Sequence, residues 1–231
     1  ENQCAYIPGR LIYENSLLAH EMVRNYNYIK GDKMCLKVDL QKAYDKVNRN
    51  FIIHIMKCMN FPAKFCRLIF ECINTPTFSI LFQGKPEGFI KSNRGIRQGD
   101  PLSPYLFTLA MEYFSILIDI ETIKNNISPI NRVQPSITHL IYADDLMLFS
   151  KANKDNAEAI SKVFENMYKY AGLKINEFKT KAYFSKYCRY KKEVLDVLKV
   201  SEGNLPIKYL GLPFSANQIK DSDCSYMIEK I

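Results

Sequence analysis

The sequence predicts an α+β fold, and three observations carry that reading. Short apolar segments with strand character, "MCLKVDL" and Ile137 to Ser150, are separated by stretches with helical spacing. Asp155 to Tyr170 places its apolar residues on one helical face and is followed by Gly172, a natural helix stop. With 231 residues, 47% hydrophobic and 24% charged, the chain has the length and composition for a buried core rather than for disorder.

Taken in order, Leu11 to Ile29 has apolar residues at helical spacing, and Gly31-Asp32 ends it. Met34 to Leu40 alternates as a strand that closes at Asp39. Two short helices follow, Asn48 to Met59 and Pro62 to Ile73, divided at Phe61-Pro62. Phe78 to Gly84 and Gly88 to Ser92 read as a hairpin with Lys85-Pro86-Glu87 near its turn. "RGIRQGDPLSP" is rich in Gly and Pro and reads as a loop. Leu106 to Ile120 is a mostly apolar helix expected to be buried on more than one side. Ile137 to Ser150 reads as a tight hairpin around Ala143-Asp144-Asp145, and a strand near Ala182 to Ser185 and a helix from Tyr190 to Lys199 complete the pattern.

Thirty-two Lys and Arg against 24 Asp and Glu give a formal charge of +8 and a pI near 9.0. That excess suits a polyanionic partner, nucleic acid or an acidic membrane surface. No apolar stretch approaches the roughly 20 residues of a membrane helix. Cysteines 4, 35, 58, 66, 72, 188 and 224 form no CxxC pair, and His20, His54 and His139 are isolated, so no zinc pattern is present. Scattered thiols of this kind fit an intracellular protein, and the start "ENQCAYIPGR" reads as the interior of a longer polypeptide.

The chemistry concentrates at "IYADDLMLFS", where Asp144 and Asp145 interrupt residues that want burial. Asp is a common turn residue, so a plain hairpin turn is one reading. The apolar flanks on both sides favour another. Buried neighbouring carboxylates with no fixed cation beside them call for a bound metal, and oxygen donors without His or Cys select Mg²⁺ or Mn²⁺. Asp39, at the end of another apolar strand, supplies a third carboxylate if the sheet brings it alongside. Such a set matches two-metal phosphoryl transfer.

Six blocks, in order, resemble the polymerase domain of a reverse transcriptase (RNA-directed DNA polymerase) of the non-LTR, LINE-type retrotransposon class. "NQCAYIPGR" resembles the block before the first catalytic strand, and "KVDLQKAYDKV" resembles motif A. "RGIRQGDPLSPYLFTLAME" is similar to motif B, and "IYADDLMLFS" to motif C. "AGLKINEFKTK" resembles motif D and "LPIKYLGLP" motif E. The resemblance implies a right-hand polymerase palm, a small antiparallel sheet packed on helices, with partial fingers. Residues 1–32 and 46–98 are expected to be fingers, and 33–45 and 99–200 palm. Residues 201–231 would form the primer-grip hairpin and the start of the thumb connection. An isolated fragment without the rest of the fingers and thumb is expected to bind template-primer weakly or to be inactive.

Residue by residue, the resemblance implies that Asp39 and Asp144 bind two Mg²⁺ ions. Asp145 is then the companion carboxylate, and the Leu40 carbonyl a further ligand. Tyr44 falls at the aromatic position that lies under the sugar of the incoming dNTP and excludes a 2′-hydroxyl. Packing on the sheet is the alternative role for its ring. Gln98 and Gly99 fall where the family lines the nucleotide and template pocket. Lys179 matches the motif D lysine proposed to protonate the pyrophosphate leaving group, with a solvated surface lysine as the alternative. Asp45, Pro101, Ser103 and Pro104 are read as structural, and Arg94 and Arg97 as phosphate contacts or a solvated loop. Tyr209, Leu210 and Gly211 match the hairpin that grips the primer end.

The implied activity is nucleotidyl transfer, with an RNA template, a DNA primer and dNTP as substrates, and no membrane partner. An intracellular location, nucleus or cytoplasm, follows by analogy with mobile elements. Three rival readings stand beside it. One is an inactive nucleic-acid-binding relic of such an element, and another a group II intron-type reverse transcriptase. The third, a viral RNA-dependent RNA polymerase, usually shows Gly-Asp-Asp where this chain has Ala143-Asp144-Asp145.

Overall fold

The computed structural model describes residues 2–24, 26, 28, 30–130 and 136–217. Helix α1 (Ile12–Val23) begins where Glu14 reaches back to the Leu11 N–H at 3.0 Å. It is shorter than the 3.6-residue pattern implies, because Arg24 turns to an extended conformation; residues 25, 27 and 29 of the expected helix lie outside the described residues. Strand β1 (Lys33–Val38) is followed by a four-residue helix α2 (Ala43–Lys46), which the sequence does not announce. Helix α3 (Arg49–Cys58) is capped by Asn48, whose side chain accepts from the N–H groups of Asn50 and Phe51. Helix α4 (Ala63–Asn74) follows Pro62.

Strands β2 (Thr77–Phe82) and β3 (Lys85–Lys91) form the expected hairpin, but its turn is Gln83-Gly84. Both turn residues have positive φ, 47° and 78°, as a two-residue hairpin loop requires. Lys85-Pro86-Glu87, expected near the turn, opens β3 directly after it. Both strands are exposed along their length, and Phe78, Ile80, Leu81, Phe82, Phe89 and Ile90 face solvent.

Helix α5 (Ser103–Ile123) has Pro104 in its first turn. Strands β4 (His139–Tyr142) and β5 (Asp145–Lys151) form the second hairpin. Helix α6 (Lys154–Asn166) runs into a π-helical turn, Met167–Ala171, and stops at Gly172. Strand β6 (Lys181–Phe184), helix α7 (Lys191–Leu198), β7 (Ser201–Glu202) and a hairpin of β8 (Ile207–Tyr209) and β9 (Leu212–Phe214) follow. The last hairpin turns at Leu210-Gly211, inside the block resembling motif E. Residues 218–231, expected to begin the thumb connection, lie outside the described residues.

The central sheet has the order β4-β5-β1-β6-β7 and is antiparallel except for β6 with β7. Alternation sorts its side chains onto two cores. Met34, Leu36, Val38, Leu146, Leu148 and Ala182 face α3, α4, α5, α6 and α7. Cys35, Met147, Phe149 and Tyr183 face α1 and the β8–β9 hairpin. Burial of each such apolar side chain contributes about 1.5–3 kcal/mol, and a one-residue slip of β1 against β5 would exchange the two faces. That penalty holds the register in which Val38 pairs with Leu146.

The described cysteines 4, 35, 58, 66, 72 and 188 carry free thiols, and Cys224 lies outside the described residues. Among the described residues no helix is long and apolar enough to cross a membrane.

Candidate active site

Two strand ends build the site. Beyond the Val38–Leu146 pair, β1 runs into Asp39, and β5 starts at Asp145, which pairs with Tyr142 across the two-residue turn Ala143-Asp144. Adjacent strands lie about 5 Å apart, so Asp39 and Asp145 stand side by side at one end of the sheet, with Asp144 at the hairpin tip. The backbone of Asp39 is pinned from the other side. Its N–H donates to Thr180 Oγ1 at 3.2 Å, and its carbonyl accepts from the Asn176 N–H at 2.7 Å. Leu40 bridges to Ile175, and the Gln41 N–H donates to the Lys174 carbonyl at 2.9 Å.

Burial pushes the Asp145 carboxyl above its ordinary pKa; Lys37 opposes that shift, and Asp144 and Asp39 reinforce it. The three carboxylates thus share one electrostatic neighbourhood. Lys37 is a correction to the expectation of carboxylates with no fixed cation nearby. It shares the Asp39 face of β1 by alternation, and its Nζ also donates to the Lys208 carbonyl at 3.1 Å. Among the described residues, no group of three or more His, Cys, Asp or Glu converges closely enough to hold a metal ion. The donor set itself fits a hard divalent cation: carboxylates at strand ends, partly offset by one lysine, with Asp144 exposed and Asp39 and Asp145 half-buried.

Tyr44 lies on α2, next to the carboxylates. Its ring stacks on Phe107 at 4.7 Å, and the Tyr6 side chain lies beside its hydroxyl. Burial, with Tyr6 and Asp144 nearby, pushes its phenol up to about 12. Helix α2 is held by tertiary contacts. The Ile96 N–H donates to the Tyr44 carbonyl at 2.7 Å and the Gly95 N–H to the Val47 carbonyl at 2.8 Å. Buried Arg49 then clamps the same loop, donating to the carbonyls of Gly95, Ser92 and Arg94 at 2.6, 2.7 and 3.3 Å.

Gln98 and Gly99 are exposed in that loop, and Gly99 has a φ of 86° with open space around its Cα. Gln98 lines a cavity of about 320 Å³ with Asp45, Arg94, Arg97 and Asp100; Asp39, Asp144 and Tyr44 are not among its lining residues. Lys179 is exposed in the turn after Asn176, the residue bonded to Asp39. The structure therefore gathers Asp39, Leu40, Asp144, Asp145 and Tyr44, and places Gln98, Gly99 and Lys179 on loops at the periphery. Sequence reasoning missed Lys37, Thr180 and Phe107, whose roles depend on long-range pairing. Gln3 and Tyr6 were quoted only as part of a block.

A mostly antiparallel sheet backed by helices, with one aspartate ending β1 and two at the β4–β5 tip, defines a right-hand polymerase palm. The profile of the family "Reverse transcriptase (RNA-dependent DNA polymerase)" matches residues 1–214, and the chain belongs to that family. It is 26% identical over 158 residues to the transposon TX1 149 kDa protein of Xenopus laevis, covering 65% of this chain and 11% of that protein. It is 28% identical over 176 residues to the Pol polyprotein of the R2DM retrotransposable element of Drosophila melanogaster, covering 75% and 16%. A mitochondrial protein of Arabidopsis thaliana, AtMg01250, is 43% identical over 72 residues, covering 29% and 59%. The chain thus spans less than two thirds of each of these relatives. Among solved structures, apo telomerase from Candida tropicalis superposes with a TM-score of 0.62 at 14% identity, over 93% of this chain and 36% of that one. That likeness is one of fold.

Proposed function

We propose that this chain is the catalytic part of a non-LTR retrotransposon reverse transcriptase, adding dNTPs to a primer 3′-hydroxyl on an RNA template. The observation that carries the reading is the β1–β5 register, which brings Asp39 beside the Asp144-Asp145 tip within the span matched by the family. Likeness to the R2 Pol polyproteins supports the mobile-element assignment.

Asp39 and Asp144 would hold the divalent cations, Mg²⁺ in this reading with Mn²⁺ as a substitute, and Asp145 and the Leu40 carbonyl would complete the donors. Bound there, the ions lower the pKa of the primer hydroxyl and neutralise phosphate charge. Tyr44 sets the floor of the sugar pocket, Gln98 and Gly99 face the nucleotide and template, and Lys179 delivers a proton to the leaving pyrophosphate. The primer, dNTP and RNA template are the substrates, and a nuclear or cytoplasmic location follows from the mobile-element reading. Residues 1–32 and 46–98 act as fingers, 33–45 and 99–200 as palm, and 201–231 as primer grip and thumb connection. Ile52, Met56 and Ile69 share a core with Leu36 and Phe107, so these names mark regions around the substrate rather than separate folding units.

The test is extension of a DNA primer on poly(rA) with Mg²⁺ and dTTP by the full-length protein. Asp144→Asn is expected to lower the rate by at least about 10²-fold. Activity surviving that change would sink the site, and a wild-type protein that binds template-primer without extending it would favour the relic.

A further inference from the structure

Residues Asn2 to Tyr6 run along the edge of β4, and two of their side chains, Gln3 and Tyr6, reach Ala143 and Tyr44. The Ile141 N–H donates to the Asn2 carbonyl at 2.9 Å, and the Cys4 N–H donates to the Ile141 carbonyl at 3.1 Å, so Gln3 pairs with Ile141 as a parallel bridge. From that station the Gln3 side chain, only 4% exposed, turns toward the catalytic tip. Its Oε1 accepts the Ala5 N–H at 2.8 Å and the Ala143 N–H at 3.4 Å. Ala143 is the residue before Asp144 and holds a φ of 55°, a left-handed conformation that disfavours any residue with a Cβ. The Gln3 Nε2 is buried and has no hydrogen-bond partner among the described residues. A buried amide that bonds through one end only costs free energy.

Tyr6 extends the same segment to the other side of the site. Its side chain lies beside that of Tyr44, and its ring is 6.1 Å from that of Tyr105 near the start of α5. Tyr44 is thus held between a stacked ring, Phe107, and a polar contact from Tyr6.

We infer that the Asn2–Tyr6 segment is a strap that positions the active site, with Gln3 holding the turn that aims Asp144 and Tyr6 orienting the Tyr44 ring. Gln3 and Tyr6 are positioning residues, acting on Asp144 and Tyr44 rather than on substrate. The inference rests on the active-site reading above, and it adds that catalytic rate and sugar choice are tuned from opposite ends of one five-residue segment.

The test uses the full-length protein on poly(rA)–oligo(dT). Gln3→Met, matched in length but without an acceptor, is expected to lower kcat for dTTP at least tenfold. The KM for dTTP should stay within about twofold, and amide exchange should accelerate at Ala143 while the rest of β4 stays protected. An unchanged kcat, or a loss accompanied by faster exchange throughout the sheet, would overturn the Gln3 role. Tyr6→Phe is expected to reduce the preference for dTTP over UTP at least threefold while kcat for dTTP stays within twofold. Tyr44→Ala and Asp144→Asn, run in parallel, separate the two levels. If they change sugar choice and abolish activity while the strap variants do neither, the strap is wrong and the site stands. If Tyr44→Ala leaves sugar choice unchanged, the gate fails and the Tyr6 role fails with it.

Discussion

The ring of Tyr44 lies on that of Phe107, with centroids 4.7 Å apart and planes 19° from parallel. Phe107 is fully buried in α5, so the aromatic floor proposed for the sugar pocket is fixed to the longest helix among the described residues. Tyr44→Ala removes that floor and is expected to raise the relative use of UTP over dTTP at least tenfold, about 1.4 kcal/mol of discrimination. Because the Tyr44 phenol is pushed up to about 12, it stays protonated across the working range. Discrimination by the unaltered protein should therefore be flat between pH 6.5 and about 9. Steady-state kinetics with both nucleotides at several pH values checks both statements.

Arg49 is a second anchor with a different chemistry. Its guanidinium is buried, and burial holds its pKa below the usual value. It is satisfied by carbonyls and the Ser92 hydroxyl of the loop before Gln98. Arg49→Met keeps the packing volume and deletes every donor. The expected loss is about 2–4 kcal/mol, or a fall in Tm of about 5–15 °C. Arg49→Lys should recover little of it, since one ammonium cannot span the fork that reaches Ser92, Arg94 and Gly95. Thermal melts of the three proteins decide the matter.

The parts of this site that were legible in the sequence are those governed by local pattern. The apolar runs at Met34–Leu36 and Leu146–Phe149 follow from strands buried on both faces, and the doubled aspartate stands out against the second. Helix α2 was hidden because its four residues have no periodicity of their own; loop 95–96 and Gly172 hold it from outside. The β2–β3 hairpin was legible with Lys85-Pro86-Glu87 near its turn, but the turn residues themselves, Gln83-Gly84, are set by two consecutive positive φ angles that the sequence does not display. Lys37 reads as an ordinary polar strand residue until the register sets it near Asp145. Gln3 and Tyr6 act across long stretches of chain, which no spacing rule can show.

Two glycines press on α2 and give a stability test of that outside support. A Cβ on Gly95 would lie 2.4 Å from the Asp45 carbonyl oxygen, and one on Gly172 would lie 2.7 Å from that of Lys46. Both glycines also have positive φ, 82° and 76°. Gly9 has a similar φ of 79° but open space around it. Gly9→Ala should therefore cost only the conformational share, about 1 kcal/mol. Gly95→Ala and Gly172→Ala should each cost at least about twice as much, because backbone must move. Equal melting shifts in all three variants would show that the contacts with α2 carry no weight.

His139 sets the expected response to acid. It lies fully buried on β4, with the Asn2 amide nitrogen 3.1 Å from Nε2, Thr138 Oγ1 3.0 Å from Nδ1, and the Phe114 ring edge-on. An amide nitrogen can only donate, so Nε2 accepts and the proton sits on Nδ1. A second proton has no acceptor to face, and burial lowers the pKa to about 3. In the unfolded chain the same imidazole titrates near 6.5. Between those values the unfolded state binds a proton that the folded state refuses, so acid favours unfolding. The stabilisation is complete above about pH 6.5 and declines as pH falls toward 3, by about 1.4 kcal/mol per pH unit. His139→Gln supplies a neutral acceptor and donor in similar places and removes the titration. Urea unfolding at pH 7, 6 and 5 should show the wild type losing stability faster than His139→Gln, so the difference moves in favour of the variant as pH falls. Parallel profiles for the two proteins would place the acid sensitivity elsewhere.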